Sequence, residues 1–152
     1  MKTRTMFAAL MSVICSVSGA YAQQANPEGR TNALPRANTE NRITYVCGGI
    51  GKDEADKMKQ AAHDYDLMLT FATKKGAYLS DAQVVIDDTR GHPLLSTTCD
   101  GPIMLVDLPK VGRYHVRSEM EGQATSGTAV LGRGTKGKPL HLVVPAEQSR
   151  SG

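Results

Sequence analysis

Residues 67–73 of this 152-residue chain read LMLTFAT, and this stretch decides the fold class. The large apolar side chains of Leu67, Leu69 and Phe71 occupy every second position, which gives a period of two residues. That period places the three side chains on one face of an extended strand. The same pattern recurs towards the C-terminus, so the sequence predicts a mainly β protein.

Six further β-prone runs follow, and turn signals rich in Gly, Pro, Asp and Lys separate them. Val84 with Ile86, and Tyr114 with Val116, mark inward-facing positions in two of these runs. Short strands at such spacing are typical of two sheets whose inner faces share one core. We therefore expect a seven-stranded β-sandwich, with strands at 67–73, 82–88, 93–99, 103–107, 113–120, 123–130 and 139–144.

The segment at 42–66 is predicted to combine a strand and a helix. Arg42–Cys47 reads RITYVC, a β-prone run that ends at a glycine-rich turn. A helix is predicted from about Asp53 to Tyr65, with Asp53 as its N-cap and acidic residues in its first turn. Its apolar face consists of side chains at three- and four-residue spacing, namely Ala55, Met58, Ala62 and Tyr65.

A later turn and strand read Leu108-Pro109-x-x-Gly112-x-Tyr114-x-Val116, in which Pro and Gly reverse the chain and Tyr and Val enter the core. With this motif, residues 76–144 resemble a carboxypeptidase-regulatory-like or transthyretin-like domain, and the chain resembles small exported bacterial proteins that carry it. Val111 lengthens the turn by one residue relative to that family. The resemblance implies a transthyretin-like or Ig-like sandwich. The other matching positions are Leu79, Ala82, Val84, Ile86, Gly91, Thr98, Gly101 and Gly122.

The first 22 residues have the three parts of a cleavable export signal. Lys2 and Arg4 supply a positive start, residues 5–19 form an uncharged apolar run, and Ala20-Tyr21-Ala22 has the small-x-small form of a cleavage site. The apolar run has about 15 residues, fewer than the ~20 that span a bilayer. The sequence therefore predicts a signal peptide rather than a membrane anchor.

Cleavage between Ala22 and Gln23 would release a periplasmic or secreted protein of one domain. Residues 23–41 lack apolar periodicity and contain two prolines, so they are predicted to form a disordered leader. The sandwich domain is predicted at 67–146, and a disordered tail at 147–152.

Removal of the signal changes the charge and the cysteine count. The formal net charge falls from +3 to +1 because two basic residues leave, and nucleic-acid binding, which needs a concentrated basic face, is not expected. Cys15 also leaves, so Cys47 and Cys99 remain in an oxidising compartment, where a disulfide is the default interpretation. A reactive thiol pair and half of a metal site are the alternatives.

No motif fixes a catalytic or cofactor site. None of the four histidines begins the H-x-x-E pattern of a zinc peptidase. Residues 132–138 match the phosphate-binding spacing G-x-x-x-x-G-K, but Pro139 stands where the Mg²⁺-binding Ser or Thr belongs. A strand rather than a helix is predicted to follow, which favours a basic hairpin loop. Residues 87–91 lack the alternating oxygen ligands of a calcium loop, so they are predicted to form a hairpin turn.

His63, Asp64 and Asp66 lie close together in sequence at the predicted helix end, and Asp53 and Asp56 share part of the helix surface. A metal needs three or four convergent ligands. The helix dipole by itself accounts for a histidine near the C-terminus of a helix. No metal site is therefore assigned.

The sequence predicts a non-catalytic module that binds or stabilises another exported or cell-envelope protein, without a cofactor. Contact through a sheet edge or through the loops at one end of the sandwich would serve this role. Sugar binding is less favoured, because the chain has no Trp and two Phe to form aromatic platforms. The alternative is a small metal-dependent or hydrolytic enzyme that uses the His63 helix region, and convergence of His63, Asp64 and Asp66 would favour it.

Overall fold

The computed structural model describes residues 33–145, which form nine β-strands, the helix α1 and a 3₁₀ turn at Ala62–Asp64. The predicted signal, its cleavage site between Ala22 and Gln23, residues 23–32 of the predicted leader and the predicted tail lie outside the described residues. The elements are β1 (Asn38–Glu40), β2 (Ile43–Gly48), α1 (Lys52–Ala61), β3 (Leu67–Thr73), β4 (Ala82–Asp87), β5 (Pro93–Cys99), β6 (Ile103–Asp107), β7 (Gly112–Met120), β8 (Gln123–Leu131) and β9 (Lys138–Val144).

The strands form two sheets, sheet A with the order β1-β2-β6-β3-β9 and sheet B with the order β5-β4-β7-β8. All neighbouring strands are antiparallel except β3 and β9, which run parallel. The prediction of a mainly β, two-sheet protein is confirmed. The count of seven strands is wrong, because β1 and β2 extend sheet A.

The boundary placed before residue 67 is also corrected by the position of β2. This strand lies between β1 and β6 inside sheet A, with Val46 opposite Leu105. Ile43 is buried in the core between the sheets, whereas Val46 is buried on the opposite face of the sheet. A strand that is covered on both faces shows no simple alternation of polar and apolar residues. The sequence pattern therefore did not predict that β2 belongs to the sandwich.

The core lies between the inner faces of the two sheets. Leu67, Leu69 and Phe71 of β3 are fully buried there, as their alternation predicted. Sheet B contributes the side chains that the sequence placed on its inner face, Val84, Ile86, Tyr114 and Val116. Burial of apolar area between the sheets is therefore the main source of stability.

Helix α1 packs on the outer face of sheet A. Ala55, Met58 and Ala62 of the predicted face are buried in a second apolar cluster. The predicted helix end at Tyr65 is corrected, because α1 ends at Ala61 and the 3₁₀ turn follows it. The strands contribute Val46, Ile103 and Leu105 to this cluster. Among residues 33–145, no helix has the length and apolar composition needed to cross a bilayer.

The N-cap of α1 differs from the prediction. The cap is Gly51, so Asp53 lies in the first turn of the helix. Glu54 reaches back, and its Oε1 accepts hydrogen bonds from the backbone N–H groups of Gly49 at 2.8 Å and Ile50 at 3.3 Å. Glu54 thus binds the backbone of the turn that precedes the helix, and the N-cap itself has no side-chain hydrogen bond to the first helical turn.

The last residues of the predicted leader are ordered as strand β1, which corrects its boundary at residue 41. Asn38–Glu40 pairs with Ile43–Tyr45 through a two-residue turn. The three side chains of β1 are exposed. An edge strand held by backbone pairing needs no buried side chain, so its sequence shows no apolar period.

A disulfide joins Cys47 of β2 to Cys99 of β5, with Cα atoms 5.4 Å apart. The predicted pairing is confirmed. The bond links sheet A to sheet B, and Cys99 is fully buried in the shared core. Next to it, a Cβ atom on Gly101 would come within 2.2 Å of the Gly48 oxygen, so only glycine fits this close approach of two backbones.

Candidate functional site

One end of the sandwich carries an open groove of about 470 Å³. It lies between the β1–β2 turn at 41–42, the β4–β5 loop at 88–92 and the β6–β7 loop at 108–111. Its volume falls within the range of roughly 300–1,000 Å³ that is typical of ligand sites. We call it the loop-end groove, and its lining residues are Asn41, Arg42, Asp88, Thr89, Arg90, Leu94 and Pro109–Tyr114.

The lining of the loop-end groove is strongly cationic. Arg42, Arg90, Lys110 and Arg113 line it, and Asp88 is the one acidic residue among the lining residues. The ion pairs found within residues 33–145 include none of these four cations. All four are exposed, so the groove presents a positive potential to solvent.

Asp88 shapes the β4–β5 hairpin, which confirms the turn predicted at residues 87–91. Its Oδ1 accepts hydrogen bonds from the backbone N–H groups of Arg90 at 2.8 Å and His92 at 3.0 Å. Its Oδ2 lies 3.2 Å from Nδ1 of His92. These bonds, led by that from the His92 backbone N–H, lower the pKa of Asp88 below its ordinary value of 3.8.

The lowered pKa predicts a pH dependence. Because the folded-state pKa lies below the unfolded value, the stabilisation by ionised Asp88 is present above pH 3.8 and is lost as the pH falls through the folded value. Urea unfolding of the wild type and of Asp88→Asn should therefore differ at neutral pH, with the wild type more stable. The difference should shrink towards zero below pH 3.8. A difference that stays constant with pH would contradict this role.

Tyr114 anchors the β6–β7 loop from its buried position in the core. Its ring is 5% exposed, and its hydroxyl donates a hydrogen bond of 2.6 Å to the Lys110 carbonyl. Burial raises the pKa of the Tyr114 phenol, so the group stays protonated and remains a donor. The tyrosine and turn of the motif that begins at Leu108 are thus connected by a bond within the motif itself.

Replacing Tyr114 by Phe should remove this bond and leave the ring in place. The expected loss of unfolding free energy is about 1 kcal/mol, measured by urea denaturation. Hydrogen exchange should also accelerate at residues 110–112, because the carbonyl that fixes the loop loses its donor. Tyr78→Phe is the matched control, since the Tyr78 ring is 49% exposed, and it should change neither quantity. Equal effects of the two substitutions would refute the anchoring role.

The β1–β2 turn holds two consecutive non-glycine residues in the left-handed region, Asn41 at φ 49° and Arg42 at φ 65°. The β7–β8 turn has the same two-residue length, with Glu121 at φ 51°, but it carries Gly122 at its second position. Glycine is favoured there because a side chain in the left-handed region is strained. Arg42 therefore occupies a position that favours glycine, and it lines the loop-end groove.

Arg42→Gly should accordingly stabilise the fold. The expected gain in unfolding free energy is about 1 kcal/mol, because the strain of a left-handed side chain is relieved. The reverse substitution in the β7–β8 turn, Gly122→Arg, should lose a similar amount. Chemical denaturation of both variants measures the two changes, and a destabilised Arg42→Gly would show that Arg42 serves the fold.

A smaller depression of about 190 Å³ lies on the other side of the β6–β7 loop. Asp66 organises it: its carboxylate accepts hydrogen bonds from the Leu108 backbone N–H at 2.9 Å and from Lys136 Nζ at 2.8 Å. The bond to Asp66 raises the pKa of Lys136. Asp66 thereby fastens the β6–β7 loop to the β8–β9 loop.

The glycine-rich loop at 132–138 is not a hairpin, which corrects the prediction for it. β8 belongs to sheet B and β9 to sheet A, so the loop crosses between the sheets. Strand β9 follows it, as predicted. Lys138, the lysine of the phosphate-binding spacing, donates a 2.8 Å hydrogen bond to the Val130 carbonyl, and Lys136 is paired with Asp66.

The residues proposed for the alternative enzyme face different partners. His63 contacts Asp64 and the Gln60 carbonyl on the exposed end of the helix, whereas Asp66 bonds Leu108 and Lys136. Asp56 pairs with Lys52. In the described part of the chain, no three His, Cys, Asp or Glu side chains are placed to hold one metal ion. The structure therefore does not bring His63, Asp64 and Asp66 together.

The outer face of sheet B holds a further polar group that the sequence did not indicate. His115 Nδ1 lies 3.2 Å from the Thr128 hydroxyl, and Asp87 is the register partner of His115 on β4. Arg117 binds both carboxylate oxygens of Asp87, at 2.8 and 3.2 Å. Both carboxylate oxygens of Asp87 therefore bind Arg117, and Asp87 does not orient the His115 imidazole as a catalytic triad requires.

No family model matches the sequence, and no curated protein matches it either.

Proposed function

We propose that the protein is a non-catalytic binding module that contacts another protein through the loop-end groove. The observation that carries this proposal is the set of four exposed cations, unpaired within residues 33–145, around one groove. Cations held apart from carboxylates are available to a partner.

The proposal extends to location and fold family. A Cys47–Cys99 disulfide is compatible with an exported protein, and it supports a periplasmic or secreted location. Burial of Tyr114 and Val116 next to the turn at 109–112 supports a carboxypeptidase-regulatory-like sandwich. In sandwiches of this kind, loops at one end are the surfaces on which binding residues are commonly presented.

Site-specific photo-crosslinking tests the binding surface. Val111 lies in the groove and is 60% exposed, and Ile50 beyond the far end of β2 is 62% exposed, which makes the two positions a matched pair. A photo-reactive amino acid at each position should capture a protein of the exported fraction from Val111 and not from Ile50. Capture from Ile50 alone, equal capture at both positions, or no capture at either would contradict the proposal.

A further inference from the structure

We propose that the loop-end groove takes an acidic segment of its partner, in which carboxylates flank an apolar side chain. This inference rests on the proposed binding function and names the class of ligand. It follows from three properties of the groove: its charge, its apolar surface and the fixed conformation of its loops.

The charge of the groove selects an anion. Three of its four cations are arginines, whose planar guanidinium groups bind carboxylates through paired hydrogen bonds. Asp88 is the one acidic residue in the lining, and its Oδ1 already accepts hydrogen bonds from the backbone N–H groups of Arg90 and His92. The remaining positive charge is therefore available for acidic side chains of a partner.

The apolar surface of the groove favours a peptide over a polysaccharide. Leu94, Pro109 and Val111 line it beside the cations, and Val111 is 60% exposed. The one aromatic residue in the lining is Tyr114, which is 5% exposed and whose hydroxyl is bonded within the protein. A sugar ring would find no exposed aromatic face here, whereas an aliphatic side chain would find apolar contacts.

Hydrogen bonds within the protein hold the loops that carry the cations in one conformation before a ligand binds. Asp88 holds the β4–β5 loop, Tyr114 holds the β6–β7 loop, and Asn41 Nδ2 donates a 3.0 Å hydrogen bond to the Leu94 carbonyl, which ties the β1–β2 turn to β5. Binding on ordered loops loses little conformational entropy. The strained Arg42 is thereby kept at the groove at a cost to the fold.

A displayed library of random peptides, selected on the immobilised protein, tests the ligand class. The test compares three proteins: the wild type, the groove variant Arg42→Glu/Arg113→Glu, and the control Lys74→Glu/Lys75→Glu. Lys74 and Lys75 are exposed and follow β3 at the opposite end of the sandwich, so the control makes the same change of net charge away from the groove. We expect peptides rich in Asp and Glu around an apolar residue on the wild type and control. Selected peptides without acidic enrichment, or the same peptides on the groove variant, would overturn the inference.

Titration of one selected synthetic peptide measures the size of the effect. Because charge-assisted bonds are strong, affinity should fall about tenfold to a hundredfold in Arg42→Glu/Arg113→Glu and stay within about twofold in the control. The peptide with Gln and Asn in place of its acidic residues should lose a similar factor. Arg42→Gly should also weaken binding while raising the urea midpoint, which separates binding from folding. A sulfated polysaccharide that displaces the peptide from the groove at lower concentration would overturn the peptide assignment.

The outcomes separate this inference from the function on which it rests. If Val111 crosslinks to a partner but the captured segment is neutral or basic, the binding function stands and the acidic ligand is wrong. If acidic peptides bind the groove but Val111 captures no protein, the ligand chemistry stands and the function is wrong.

Discussion

Replacing both Cys47 and Cys99 by Ala should lower the free energy of unfolding by about 4 kcal/mol. The bond closes a loop with a sequence separation of 52 residues, and the chain-entropy relation for a loop of this length gives that value. The loop contains β3, β4 and helix α1, so the reduced unfolded chain regains freedom over much of the domain. A loss of this size is a large share of the stability of a small domain.

Urea unfolding with and without a reductant measures this effect. The wild type in reductant should match the double variant in oxidising buffer, and reductant should not change the double variant. Cα atoms 5.4 Å apart already have disulfide spacing, so little rearrangement should accompany the substitution. Equal stability of the oxidised and reduced wild type would contradict a structural role.

Phe71→Ala should lower the free energy of unfolding by about 3–5 kcal/mol. Phe71 is fully buried and is among the largest buried side chains. It belongs to the core between the sheets, so its removal would leave a cavity that neighbouring strands cannot fill without moving.

The matched control is Val130→Ala on β8, whose side chain is 47% exposed. It should cost less than about 1 kcal/mol, because little apolar surface is lost from the core. Both variants are measured by urea denaturation with the disulfide intact. If Phe71→Ala lowers the free energy of unfolding no more than the control does, Phe71 does not lie in the core between the sheets.

Much of the fold was predictable because most strands bury one face. The alternation of Leu67, Leu69 and Phe71 fixed β3, and similar alternation located the strands that follow it. β1 was not predictable as a strand because its three side chains are exposed. β2 was not predictable as part of the sandwich because both of its faces are buried. The cap of α1 was not predicted because it is Gly51, which has no side chain to mark an N-cap, and Asp53 lies in the first turn of the helix.

The candidate site was predictable only in part. The sequence favours contact through a sheet edge or through the loops at one end of the sandwich, and the motif at 108–116 marks the loop that Tyr114 anchors. The cations Arg42, Arg90 and Arg113 are far apart in sequence and follow no period. Pairing between strands brings them to one end, and such pairing over long sequence separations is not visible in a local pattern. The one signal available was Arg42 in a tight turn, where glycine would be expected.

Hydrogen exchange of the protein, alone and bound to the protein crosslinked through Val111, tests the central claim most directly. Binding should slow exchange at the turn at 41–42 and in the loops at 88–92 and 108–112, and it should leave α1 and residues 74–76 unchanged. Protection confined to α1 or to the far end of the sandwich, or absent from these loops, would contradict a binding role for the loop-end groove.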